Sequence, residues 1–245
     1  MGTDDKDDDD FQALFEGQPG SVLGGFRDPR PTPDREKLVA AKEQWARDRS
    51  KPGKSRPDAD HGKRLPPGQH RTEDWPVLDL GHQPLIETRD WQLTAAGAVA
   101  APLKWDWDDF LAMEQTDSVS DIHCVTDWSR YDNKWRGVAF RRLLDAVRPR
   151  EDAKFCVIHG YDGYTTNVPL ERLQADNVML AHSWEDQPIP REHGGPVRLV
   201  IPDLYFWKSA KWVRHIVFLD KDTPGYWEAR GYHNDGDPWK EERYE

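Results

Sequence analysis

The 245-residue chain carries 45 acidic residues against 34 Lys and Arg, a formal net charge of -11. This excludes a general nucleic-acid or anionic-membrane binder, since both classes use a basic excess to displace counterions. Two cysteines with no CxxC spacing cannot form a disulfide framework, and no apolar run approaches the ~20 residues that span a bilayer, so a reducing compartment and no membrane insertion are expected. With no twin-arginine stretch and no apolar leader core near Met1, the expected location is cytoplasmic.

Residues 1–70 read as an acidic tail, one helix and an extended connector that packs on the body, and residues 71–245 as a single domain. Six of the first ten residues are Asp, a self-repelling run with nothing apolar to bury. Thr32-Pro33-Asp34 supplies an N-cap, a proline at the first helical position and an acid in the first turn, which opens a helix to about Arg49. Ser50 to Gln69 is Pro, Gly and charge, the composition of a connector.

The body is expected to begin near Trp75, with strands over Val77–Leu80 and Trp91–Val99 and a short helix capped by Asp106. A β-prone approach (Val119, Ile122, Val125) presents Cys124, and Trp128 to Gly137 reads as a loop rich in Trp and Arg. A helix over Phe140–Val147 turns Leu143, Leu144 and Val147 inward. Further strands are predicted at 155–159, 164–167, 178–182, 197–201 and 213–219. The pattern is α+β and strand-heavy, without the strand-helix alternation of a doubly wound sheet.

Three groups could carry chemistry. Cys124 sits with His123, Trp128 and Arg130 at a strand end, where a scaffold can hold a reactive atom still. Ile158-His159-Gly160-Tyr161-Asp162-Gly163-Tyr164-Thr165-Thr166 turns through two glycines that allow close backbone approach. His193-Gly194-Gly195-Pro196-Val197-Arg198-Leu199-Val200-Ile201-Pro202, followed by Trp207-Lys208-Ser209-Ala210-Lys211-Trp212, concentrates cations and a hydroxyl inside an acidic protein. Such donors suit a phosphate. A lone cysteine is more often a small buried hydrophobe, which is the reading kept for Cys156 between Phe155 and Val157.

Together these stretches resemble the molybdenum-cofactor domain of the sulfite oxidase family, as does the closing run Pro224-Gly225-Tyr226-Trp227-Glu228 through Gly231-Tyr232-His233-Asn234 and Asp237-Pro238-Trp239. The resemblance covers roughly Arg71 to Glu245 and implies a β-rich molybdopterin-binding fold with short helices. It implies an oxidoreductase with one pterin in which Cys124 ligates molybdenum. Arg198, Lys208, Ser209 and Lys211 would hold the pterin phosphate. His82, Gln83, His159, Asp162, Thr165 and His193 would contact the pterin, and Arg130 and Trp128 would face the substrate.

The implied reaction is oxygen-atom transfer to or from a small polar or anionic molecule, sulfite or an S- or N-oxide. The expected partners are that substrate and an external electron donor or acceptor protein, with no haem, no flavin and a monomeric chain. Relatives that oxidise sulfite carry an Arg pair soon after the cysteine, where this chain has Trp128-Ser129-Arg130-Tyr131. The residues alone leave three alternatives open: a hydrolase with Cys124 as nucleophile and a histidine base, a zinc site, and a non-catalytic cofactor-binding protein.

Overall fold

A computed structural model describes residues 63–245 and the helical positions 40, 41 and 44. The acidic tail, most of the predicted Thr32–Arg49 helix and most of the connector lie outside the described residues. The end of the connector is built into the body: Leu65 and Gln69 are buried, and β1 (His70–Arg71) pairs in parallel with a later strand.

After β1 come β2 (Leu93–Gly97), β3 (Leu103–Trp105), α1 (Trp107–Ala112), β4 (Gln115–His123) and β5 (Trp128–Ala139). Then follow α2 (Phe140–Val147), β6 (Phe155–Gly160), β7 (Thr165–Pro169), α3 (Leu170–Leu173) and β8 (Met179–Trp184). The last strands are β9 (Gln187–Pro188), β10 (Arg198–Val200) and β11 (Val213–Leu219). They form two sheets. One has six strands in the order β1-β5-β8-β10, with β4 on β5 and β9 on β8, and the other has five in the order β3-β2-β11-β6-β7.

Local chemistry accounts for the elements. Asp106 and Asp109 form a reciprocal capping box that starts α1. α2 buries Phe140, Leu143, Leu144 and Val147 at helical spacing, and Arg148 in the left-handed region ends it. Each such side chain contributes roughly 1.5–3 kcal/mol relative to exposure. β11 is a β-branched and aromatic run at the centre of the five-stranded sheet.

Two expectations fail. Val77–Leu80 forms no strand, because this segment follows Pro76 and lies along a cavity wall. Trp128–Gly137 is no loop; it is most of β5, the strand that pairs with β1, β4 and β8. Its charged residues Asp132, Lys134 and Arg136 are exposed, while Tyr131, Asn133 and Trp135 between them are buried. Charge on alternate positions marks one solvated face. Among the described residues no helix is long and apolar enough to cross a membrane.

Candidate active site

Cys124 lies in the tight turn between β4 and β5. Its N–H donates to the Trp128 carbonyl at 2.8 Å, the Asp127 N–H donates to the Cys124 carbonyl at 3.1 Å, and Asp127 takes φ 69° to close the reversal. Two distant segments hold this turn. The Gln69 amide donates to the Cys124 carbonyl at 2.9 Å and accepts from Ser129 Oγ at 3.1 Å, and Ser129 Oγ is 2.8 Å from His123 Nδ1. From the other end of the chain, Arg243 donates to the Val125 carbonyl at 2.6 Å and pairs with Asp127 at 2.5 Å. The Cys124 sulfur is 3.2 Å from Thr126 Oγ1. Burial pushes the thiol pKa up, while the Thr126 hydroxyl and backbone N–H and the Arg243 charge pull against it.

The basic block forms the facing wall. Arg198, on β10, is 1% exposed and donates to the carbonyls of His193 at 2.7 Å and Ser209 at 2.9 Å. Its guanidinium carbon sits 4.1 Å from the Phe206 ring centre and 5.4 Å from that of Trp75. No carboxylate pairs with it among the described residues, and burial pulls its pKa down to about 9. A buried guanidinium satisfied only by carbonyls is costly unless an anion reaches it. Lys211 donates to the Glu192 carbonyl at 2.6 Å, and Ser209 Oγ accepts from the Ile201 N–H at 2.9 Å.

Both walls border one open cavity of about 130 Å³. Of the residues singled out in the sequence, Cys124, Trp128, Asp162, His193, Arg198, Ser209 and Lys211 line it. Asp162 is turned partly toward its own backbone, accepting from the Tyr164 N–H at 3.0 Å. His193 stacks on Trp75, ring centres 3.8 Å apart and planes at 11°. Burial, with Arg198 and Lys211 beside it, pulls the His193 pKa down to about 3, so the ring is neutral. Two polar atoms on the cavity residues, Trp128 Nε1 and His193 Nδ1, are buried with no hydrogen-bond partner among the described residues.

The remaining candidates lie elsewhere. His82 is exposed, and Gln83 donates to Asp79 at 2.8 Å. His159 and Thr165 face each other across the β6–β7 ladder and do not border the cavity. Arg130 is drawn off by the Glu73 carbonyl at 3.2 Å, by Asn133, and by the Trp184 ring 4.8 Å from its guanidinium. Lys208 is fully buried in an ion pair with Glu228 at 2.7 Å and also bonds the Asn167 carbonyl. Glu228 in turn accepts from Nε1 of the cavity residue Trp207 at 3.0 Å. Trp75, Thr126, Trp207 and Tyr232 also line the cavity, and the sequence assigns none of them a role. Thr126, two residues from the cysteine, was the legible one; the aromatics are indistinguishable from core by pattern.

The rival chemistries find little support. Among the described residues no imidazole is within hydrogen-bond distance of the Cys124 sulfur, and no group of three or more His, Cys, Asp or Glu could hold a metal. Cys156 is fully buried in β6, as expected of a core residue.

A family model, the oxidoreductase molybdopterin binding domain, matches residues 80–227, more than half of the chain. The chain belongs to this family. It is a molybdopterin-dependent oxidoreductase of the sulfite-oxidase-like class. It is 42% identical over 193 residues to the uncharacterized oxidoreductase YuiH of Bacillus subtilis (strain 168), covering 78% of this chain and 97% of that one. The catalytic subunit MsrP of the protein-methionine-sulfoxide reductase of Ralstonia nicotianae is 28% identical over 158 residues, 58% of this chain and 47% of that one. Among solved structures the sulfane dehydrogenase SoxCD of Paracoccus pantotrophus shares the fold, with TM-score 0.53 and 24% identity over 57% of this chain and 40% of that one. The chain thus spans less than half of these last two relatives.

Proposed function

We propose that the molybdopterin oxidoreductase domain holds its cofactor between the Cys124 turn and the Arg198 block, and that it transfers an oxygen atom to or from a neutral S- or N-oxide or its reduced form. The observation that carries this reading is one cavity bordered by both a buried thiol and a buried guanidinium with no carboxylate partner among the described residues. The residues fit the group: a soft sulfur for the metal, a cation with Ser209 and Lys211 for a phosphate, and orphaned polar atoms on Trp128 and His193 for a polar heterocycle. When bound, the cofactor supplies the two-electron oxygen-transfer chemistry.

The chain's own residues set what can approach. Beside Cys124 the cavity is lined by Val125, Trp128, Trp227 and Tyr232, none of which carries a positive charge. Arg130, the side chain best placed in sequence to recognise an oxyanion, is held by Glu73, Asn133 and Trp184. An apolar, aromatic wall favours a neutral substrate over sulfite, whose charge would be desolvated without a partner.

The test is to produce the protein in a host that assembles the cofactor, measure bound molybdenum, and screen sulfite beside several S- and N-oxides with artificial electron donors and acceptors. Molybdenum near one per chain with turnover of a neutral oxide supports the proposal; sulfite as the sole substrate, or a protein without molybdenum, would overturn it. Cys124→Ser is expected to abolish turnover while most cofactor is retained, since the phosphate donors lie on the other wall.

A further inference from the structure

Thr126 lies within the Cys124 turn, between Val125 and Asp127. It is 3% exposed, borders the cavity, and its hydroxyl oxygen lies 3.2 Å from the Cys124 sulfur. Between a thiol and a hydroxyl either atom could give the proton. A metal-bound thiolate has none to give, so on the reading proposed above the hydroxyl must be the donor. The Thr126 backbone N–H acts on the same sulfur in the same sense.

The geometry is not left to a mobile loop. Gln69 holds the Cys124 carbonyl, and Arg243 holds the Val125 carbonyl and the Asp127 carboxylate, so the residues on both sides of Thr126 are tied down. Hydrogen bonds to a ligating sulfur withdraw electron density from it, which makes it a weaker donor to the metal and raises the reduction potential of the site. A threonine that merely filled space here would need no donor directed at the sulfur.

We infer that Thr126 is a positioning residue for the Cys124 sulfur, whose hydroxyl bond to that sulfur sets the potential of the metal centre. This rests on Cys124 being the metal ligand. It adds that the chain tunes this ligand from within its own turn, through a side chain that valine can mimic in shape and serine in chemistry.

The experiment uses cofactor-loaded wild type, Thr126→Val, Thr126→Ser, Thr126→Ala and Cys124→Ser, each titrated by spectroelectrochemistry with molybdenum content and thermal midpoint measured alongside. The expected result is a lower midpoint potential and a displaced sulfur-to-metal absorption band in Thr126→Val at unchanged molybdenum content, with Thr126→Ser returning both toward wild type. Thr126→Ala, the second variant without a donor, should shift them in the same direction if Thr126→Val proves hard to fold. Wild-type potential and band in a folded, loaded variant lacking the donor would overturn the inference while leaving Cys124 as ligand. A band that persists in Cys124→Ser, or wild type that holds no molybdenum, would instead overturn the ligand reading and this inference with it.

Discussion

Arg198 and Lys208 belong to one basic block, yet burial gives them opposite work. Arg198 donates its hydrogen bonds only to carbonyls, whereas Lys208 pairs with Glu228 at 2.7 Å. Arg198→Ala should therefore reduce molybdenum content by roughly tenfold or more at limiting cofactor, because a charge-assisted bond is worth about 1.5–3 kcal/mol; metal analysis reads this directly. Lys208→Ala should instead destabilise the fold by about 3–5 kcal/mol, since it strands a buried carboxylate, and urea unfolding would reveal it. Wild-type stability for Lys208→Ala would show that Glu228 finds another partner. Gln69 offers a third case at this scale: Gln69→Ala leaves the Cys124 carbonyl without its buried donor, and a loss of about 1–3 kcal/mol by the same measurement is expected.

β5 organises the six-stranded sheet, pairing with β1, β4 and β8. At Gly137, where the β5–β8 register shifts, a Cβ would come 2.0 Å from the Leu180 carbonyl oxygen. Backbone cannot yield as a side-chain tip can, so Gly137→Ala should destabilise by more than about 2 kcal/mol, seen as a lowered thermal midpoint. The legibility of the elements follows from how they are buried. α2 and β11 are legible to the residue because α2 buries a helically spaced apolar set and β11 is a β-branched and aromatic run between two neighbouring strands. β5 was mistaken for a loop because its exposed positions are charged and its buried ones include Asn133, whose amide is satisfied by the Ser120 and Arg130 carbonyls. Residue type and setting single out Cys124 and Arg198, and the structure places both on one cavity. That Arg130 and Lys208 meet Trp184 and Glu228 is not legible, because those partners are distant in sequence and only the fold brings them close.

The other sheet contributes to how the molecule responds to acid, alongside His123 and His193, whose pKa values burial pulls down to about 4 and about 3. His159 on β6 and His215 on β11 are cross-strand partners with ring centres 6.3 Å apart. Burial, reinforced by Arg214, pulls their pKa values down to about 4 and about 3. Both would titrate near 6.5 in the unfolded chain. Between those values the unfolded state binds more protons, so stability is lost as pH falls from about 6.5 toward 4, by up to about 1.4 kcal/mol per unit for each ring. Thermal melts across that range should show a falling midpoint, and the double variant His159→Gln, His215→Gln should make the fall shallower, the remainder belonging to His123 and His193. An equally steep slope in the double variant would assign the acid sensitivity to other groups.

The two tethers on the Cys124 turn also bear on how much chain makes a working unit. Gln69 and Arg243 both lie beyond residues 80–227, the stretch that defines the family, and so do the cavity residues Trp75 and Tyr232. A fragment cut to the family boundaries would keep the cysteine and the arginine block but would free the turn at both carbonyls and open the aromatic wall on two sides. Anyone grafting this site onto another scaffold, or trimming the chain for crystallisation, should treat residues 63–79 and 228–245 as part of the site rather than as flanks.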